Sequence, residues 1–296
     1  MNAFAQALGF GIASGAIITL GAVGLTVQVG ISNVFNVTYG ALMTLAAFIA
    51  YGLEQRGVSI WAAALCAILT LGVVSVVLNR ILIAPLKRRG AGFVGAIIGT
   101  VYAGLIIQTL IVVVAGAGVV TYGNHWGPTV TGAGFTFTTI QLGIIGLTVA
   151  CMVALHLLLT KTLFGRALRA TAANENLARA CGIRTRRVVD GAWFLTGSMC
   201  GAAGVALALT IVSFDFSLGG TFLIYMLSAA VLGGIGQPYG AMIGGLVVGI
   251  ASQLAAAYSS PVYEDVAAFG ILVVVLLTRP RGIFTRRGSL AGLWET

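Results

Sequence analysis

Nine runs of apolar residues, almost free of charge, fill most of this chain, and no soluble globule could hide that much hydrophobic surface. They fall at about 4–29, 35–53, 58–82, 93–115, 138–159, 190–212, 221–234, 241–257 and 266–278. A helix needs about 20 residues to cross a bilayer. Most of the runs meet that length, but the seventh is too short to span alone, and the join between the first two is only ISNV. Both places predict discontinuous or re-entrant helices, since irregular backbone at membrane depth survives only inside protein. The expected fold is all-α, a polytopic transmembrane helical bundle of about eight spans (range seven to nine). It forms a single transmembrane domain over residues 1–296 with a cytoplasmic segment at 161–188. Composition agrees, at 59% hydrophobic and 8% charged with a mean hydropathy of +1.05.

The charges that exist are clustered. PLKRRG (85 to 90), residues 161 to 187 and RPRGIFTRRG (279 to 288) all face the cytoplasm if the chain crosses nine times, with its N-terminus outside and its C-terminus inside. Fifteen of the sixteen basic residues then lie inside, Arg56 being the exception, and four of the seven acids (Glu54, Asp215, Glu264, Asp265) lie outside. The sequence pI of about 9.9 therefore reflects cytoplasmic loops rather than a nucleic-acid surface. The N-terminal MNAFAQALGF has no basic stretch of the kind that precedes a cleaved signal, so the first run is expected to stay.

Much chemistry is missing. There is no GxxxxGK[ST] phosphate loop, no HExxH and no GxSxG, so neither ATP hydrolysis nor intramembrane proteolysis belongs to this chain. Cys66, Cys151, Cys181 and Cys200 are widely spaced and read as packing residues, and no metal site is expected. Carboxylates and histidines inside the spans are nearly absent. His156, Asp190 and Asp215 sit at segment ends, which leaves no proton relay to drive uphill transport. Residues 115 to 136 carry no Asp, Glu, Lys or Arg and read as a structured external loop, in which His125, beside Trp126, reads as a solvated loop histidine rather than a ligand. Small-residue pairs such as Gly11 with Gly15, Gly197 with Gly201, Gly240 with Gly244 and Gly245 with Gly249 allow close helix approach, within the chain or between chains.

The stretch GRALRATAANENLARACGIRTRRV (165 to 188) is different in kind. Seven basic residues and one acid, Glu175, lie between positions 161 and 187. Ala167, Ala170, Leu177, Ala178 and Cys181 fall mostly at helical spacing among Arg166, Arg169 and Arg179. Asn174 is placed to cap a helix whose first residue, Glu175, suits the helix dipole, and Gly182 is placed to end it. Two short helices at the cytoplasmic face are expected. They would either touch anionic lipid or dock into a groove on a cytoplasmic partner.

This stretch resembles the cytoplasmic coupling segment of the bacterial branched-chain amino acid ABC permeases, the Liv type. Gly165, Arg166, Arg169, Ala170, Ala172, Asn174, Ala178, Gly182 and Ile183 match that pattern position by position. AAVLGGIGQPYGAMIGGLVVGIAS (229 to 252), YEDVAAFGILVVVLLTRPRGIF and FNVTYG are similar to further motifs of the family, so the resemblance runs through almost the whole chain. In the last of these the family commonly has His and then Gly-Glu, where this chain has Tyr39, Gly40 and Ala41.

The resemblance implies one membrane half of a heteromeric importer in the bacterial inner membrane. Its partners would be a second homologous permease, two cytoplasmic ATPases and an external, periplasmic solute-binding protein. It implies no cofactor in this chain, with ATP and Mg held by the ATPases, and a branched-chain or other hydrophobic amino acid or similar small organic solute. Gly165, Arg166, Arg169, Ala170, Asn174, Glu175, Ala178, Gly182 and Ile183 are then the ATPase-coupling residues. The interrupted pattern from Gln28 to Gly40 makes Asn33, Asn36, Thr38, Tyr39 and Gly40 candidates for the translocation path, or else interhelical hydrogen-bonding residues. A stand-alone channel or facilitator for a small neutral solute is the alternative, and an accessory scaffold is a third reading.

Overall fold

The computed structural model describes residues 3–123, 129–132, 135–258, 260, 262–279 and 282–283. His125 and Trp126 lie outside the described residues, as do Arg281, Arg286 and Arg287 of the last basic cluster. The nine apolar runs become α1 (Ala3–Ser32), α2 (Thr38–Glu54), α3 (Ile60–Leu78), α5 (Phe93–Ala115), α6 (Thr139–Lys161), α9 (Thr185–Ile211), α10 (Leu218–Gly233), α11 (Pro238–Tyr258) and α12 (Tyr263–Thr278). α3 continues through a π-helical turn, Asn79–Ile83, into α4 (Ala84–Arg88). α7 (Leu163–Ala173) and α8 (Glu175–Ala180) form the segment between α6 and α9. The strands are short: β1 (Val120–Thr121) pairs with β4 (Ser213–Phe214), and β2 (Thr129–Gly132) pairs with β3 (Phe135–Thr138). Among the described residues six helices are long and apolar enough to cross a membrane, and Leu218–Gly233 is a shorter apolar helix. The protein is thus a polytopic helical bundle.

α1 runs through the middle of this bundle. Its apolar window is 83% buried, against 17% for α5. α11, α9, α10 and α6 pack on it, while α9 also meets α2 and α3. Lipid tails are as apolar as leucine, so burial cannot hold these helices together and close van der Waals approach must. The glycine pairs supply it within the chain. A Cβ on Gly249 would strike the Gly15 backbone, and one on Gly11 would come within 2.8 Å of the Ile250 Cα. Gly197 and Gly201 press on α3, and Gly240 and Gly244 press on α10. The outward faces of α3, α5 and α6 carry exposed apolar side chains such as Leu65, Val73, Ile106 and Val113, as a lipid-facing surface requires. Of the cysteines only Cys200 is fully buried. Cys66 and Cys181 are exposed, so the packing reading fails for those two.

Contacts sort the connections into two ends. At one end the Lys87 ammonium donates to the Ser32 carbonyl, Gly30 lies close to Gly236, and the Ile283 N–H bonds the Leu232 carbonyl at 3.0 Å. At the other, the Gly123 N–H bonds Glu54 at 3.2 Å, and the Tyr122 hydroxyl donates to the Ala47 carbonyl at 2.7 Å. Phe48 and Tyr51 pack edge to face on Phe214, Tyr51 packs edge to face on Tyr122, and Tyr122 lies tilted at 31° against Phe214. Burial, reinforced by the nearby Glu54 carboxylate, raises the Tyr122 phenol above its ordinary pKa, so it stays a neutral donor. This aromatic knot ties the segment after α5 to the β4 corner.

Candidate functional site

The segment at 163–180 forms two short helices, as its capping residues predict. The Thr162 hydroxyl accepts from the Gly165 N–H at 3.0 Å and starts α7. The Asn174 Oδ1 accepts from the Leu177 N–H at 3.0 Å and starts α8. Gly182 ends α8 in the left-handed region, at φ +82°. Arg179 closes α8 by pairing with Glu175 at 2.5 Å and donating to the Thr185 hydroxyl at 2.9 Å.

The matched positions divide into two groups. Gly165 is structural, because a Cβ there would collide with the Leu158 and Leu159 carbonyl oxygens at the end of α6. Arg169 donates to that same Leu159 carbonyl at 2.8 Å, so it caps α6 although it is exposed. Ala178 is buried and Ile183 is half-buried on the bundle side. Arg166, Ala170, Asn174, Glu175 and Gly182 are exposed. Beside them Leu177 is 62% exposed, an apolar knob on an otherwise charged surface.

The join between α1 and α2 packs tightly. Thr38 donates to the Thr100 carbonyl at 2.5 Å, Tyr39 donates to the Thr196 carbonyl at 3.1 Å, and Asn36 donates to Gln28 at 3.3 Å. All three residues are fully buried. Gly40 meets Gly219 of α10 so closely that a Cβ would lie 2.6 Å from its carbonyl oxygen. Asn33 is exposed, with φ +50°, and lines a shallow hollow with Lys87. These five residues therefore lie at helix crossings or at the bundle end, and not on the wall of the large cavity described below. The hydrogen bonding around them is incomplete, for the Thr26 Oγ1, Gln28 Nε2 and Asn36 Oδ1 are buried without partners among the described residues.

Sequence reasoning missed a charge cluster beside the π-helical turn. The wide turn at Asn79–Ile83 lies beside α9, where Asp190 accepts from Asn79 at 3.2 Å and from Arg80 at 3.0 and 2.8 Å. Arg80 and Asp190 are 110 residues apart, and no spacing rule pairs them. The cluster sits on the first turns of α9, directly after the α7–α8 segment, and links that segment to α3.

At the end of the bundle remote from α7 and α8 there is a cavity of about 860 Å³. It opens among the N-terminal half of α1, the start of α6, the β4 corner, and the ends of α9, α10, α11 and α12. Its apolar wall includes Ile17, Ile18, Leu207, Phe214 and Phe222. Its polar wall carries Asp215, Glu264 and Asp265, with Ser252, Gln253 and Tyr225.

Over most of its length the chain is similar to known transport permeases. The family described as branched-chain amino acid transport system, permease component, matches residues 7–276. The chain is 31% identical to the high-affinity branched-chain amino acid transport system permease protein LivH of Escherichia coli, over 96% of each chain. The LivH of Salmonella typhimurium is 30% identical and the BraD of Pseudomonas aeruginosa 27% identical, each again over 96% of both chains. No solved structure matches the chain.

Proposed function

We propose, since this chain belongs to the permease components of branched-chain amino acid transport systems, that it is one membrane half of an ATP-driven importer for branched-chain or other hydrophobic amino acids. The carrying observation is the α7–α8 pair: two capped helices with Arg166, Ala170 and Leu177 exposed and their other faces seated on the bundle. Such a surface suits a groove on a cytoplasmic ATPase. The sequence has no phosphate loop of its own, so ATP and Mg belong to two partner ATPases. A second homologous permease would complete the path, and a periplasmic binding protein would deliver the solute.

In this reading the protein sits in the bacterial inner membrane with α7 and α8 inside, its N-terminus outside and its C-terminus inside. Support comes from the grouping of Lys87, Arg80 and the α7–α8 arginines toward one end, and of Glu54, Asp215, Glu264 and Asp265 toward the other. α2, α10 and α12, with 17, 16 and 16 residues, complete the crossings beside the six longer helices. The unpaired atoms of Thr26, Gln28 and Asn36 favour a path that is closed near the α1–α2 join in this conformation and that offers these groups to the solute when it opens. ATPase closure would push on α7–α8, and the Arg80–Asp190 cluster would carry that movement into α3.

The test is reconstitution of the chain with its co-encoded partners in proteoliposomes. Leucine uptake should require both internal ATP and external binding protein. Equal uptake by the chain alone, down a gradient, would replace this reading with a facilitator.

A further inference from the structure

Among the described residues the three carboxylates on the cavity wall have no cation to answer them. Asp215 accepts from the Ser217 N–H at 2.9 Å and hydroxyl at 2.7 Å, Glu264 from Gln253 at 2.8 Å, and Asp265 from the Tyr225 hydroxyl at 2.5 Å. Among the described residues no Lys, Arg or His lines the cavity, and none of the three acids makes a salt bridge. A second feature of the same wall is Ser252. It is 1% exposed, and its hydroxyl has no hydrogen-bond partner among the described residues. A buried hydroxyl left without a partner costs free energy unless something else supplies the bond.

Burial and charge together narrow the ligand. Apolar walls of low dielectric focus the field of these acids into the cavity, which attracts cations and repels anions. A metal ion does not fit, for among the described residues no three acidic, His or Cys side chains converge on a possible metal position. Carboxylates spread over a wall suit an organic cation larger than a metal ion. The apolar lining residues Ile18, Phe214 and Phe222 suit an aliphatic group. A volume of about 860 Å³ is within the range of small-molecule sites.

We propose that this cavity is the outer vestibule of the path, in which Asp215, Glu264 and Asp265 receive the ammonium group of a zwitterionic amino acid and the apolar wall takes its side chain. The Ser252 hydroxyl is free to donate to the solute carboxylate. The vestibule therefore rejects the des-amino analogue of the same solute, a plain carboxylate, by repulsion and by loss of its one cationic group. This assignment rests on the amino-acid reading above and adds to it the groups that read the amino acid's charge.

Thr221 lines the cavity and is exposed, so Thr221→Cys places a thiol in it. In the full complex, with the four native cysteines replaced, that thiol should react at least tenfold faster with a trimethylammonium methanethiosulfonate than with the sulfonate reagent, after correction for their rates with a free thiol. Adding Asp215→Asn, Glu264→Gln and Asp265→Asn should bring the ratio close to one. Leucine should protect the thiol, and 4-methylpentanoate should not. Leucine uptake by the triple variant should fall at least tenfold. Equal reagent rates with all three acids present, or equal protection by 4-methylpentanoate, would overturn the proposal. So would unchanged uptake in a triple variant that assembles. A wild-type complex that takes up no leucine, isoleucine or valine would instead overturn the amino-acid reading itself, whatever the reagent ratio.

Discussion

Val212 holds φ +69° and ψ −50°, the conformation of a positive-φ γ-turn, which is rare and strained for a β-branched side chain. The structure keeps it because the Val212 carbonyl accepts from the Tyr122 N–H at 3.1 Å and so aligns β1 with β4. The turn also aims Ser213, Phe214 and Asp215 at the cavity rim. Val212→Gly should therefore raise the thermal stability of the detergent-solubilised protein by about 1 kcal/mol, the relieved strain less the added freedom of the unfolded glycine. A lowered melting temperature would show that the valine side chain contributes more than its backbone costs. The sequence gives no hint of this residue, because strain belongs to the path of the chain around it. Tyr39 and Asn36 were legible as polar groups at a break in the apolar pattern. Their partners, Thr196 and Gln28, were not, since side-chain pairing depends on which helices cross.

At the scale of elements, α7 and α8 were the most legible part of the chain, because capping is local: Asn174 accepts from Leu177 and Gly182 donates to Arg179, each three residues away. The division of labour along the segment was not legible. Arg166 and Arg169 look equivalent in the sequence, but the Arg169 side chain caps α6, whereas the Arg166 side chain makes no hydrogen bond among the described residues. The clean test of coupling is thus Arg166→Glu with Leu177→Asp, both exposed and outside the bundle packing. This pair should cut solute-stimulated ATP hydrolysis at least tenfold while the permease pair still purifies intact. Stimulation at the wild-type level would remove α7–α8 as the ATPase contact. Arg169→Glu should behave differently and lower the yield of folded protein, since it takes a donor from the Leu159 carbonyl and sets an acid against the negative end of α6. Normal yield in that variant would show that the bond contributes little.

For the whole molecule, the proposed orientation makes native Cys181 a reporter, because it is exposed just after α8. With Cys66 and Cys151 replaced, a membrane-impermeant maleimide should leave Cys181 unlabelled in intact cells and label it in inside-out vesicles. Val119→Cys, exposed beside β1, should show the reverse pattern. Labelling of Cys181 from outside would invert the topology and detach the coupling and vestibule proposals from it. The order of the apolar helices and the clustering of charge were set by the sequence itself, whereas its expectation of about eight spans meets six helices of spanning length among the described residues. Order and clustering depend on hydropathy and on Lys and Arg counts, which are sums over neighbours in the chain. Which helix lies at the centre, which glycines meet and where the acids gather were decided only in three dimensions. Four acids read along the chain as a diffuse outside excess. Only the close crossing of α1 with α11 and the placing of α9, α10 and α12 around it bring Asp215, Glu264 and Asp265 to one cavity. The physical reason is that lipid and protein interior are equally apolar, so hydropathy determines that a helix spans and only steric fit determines its neighbours.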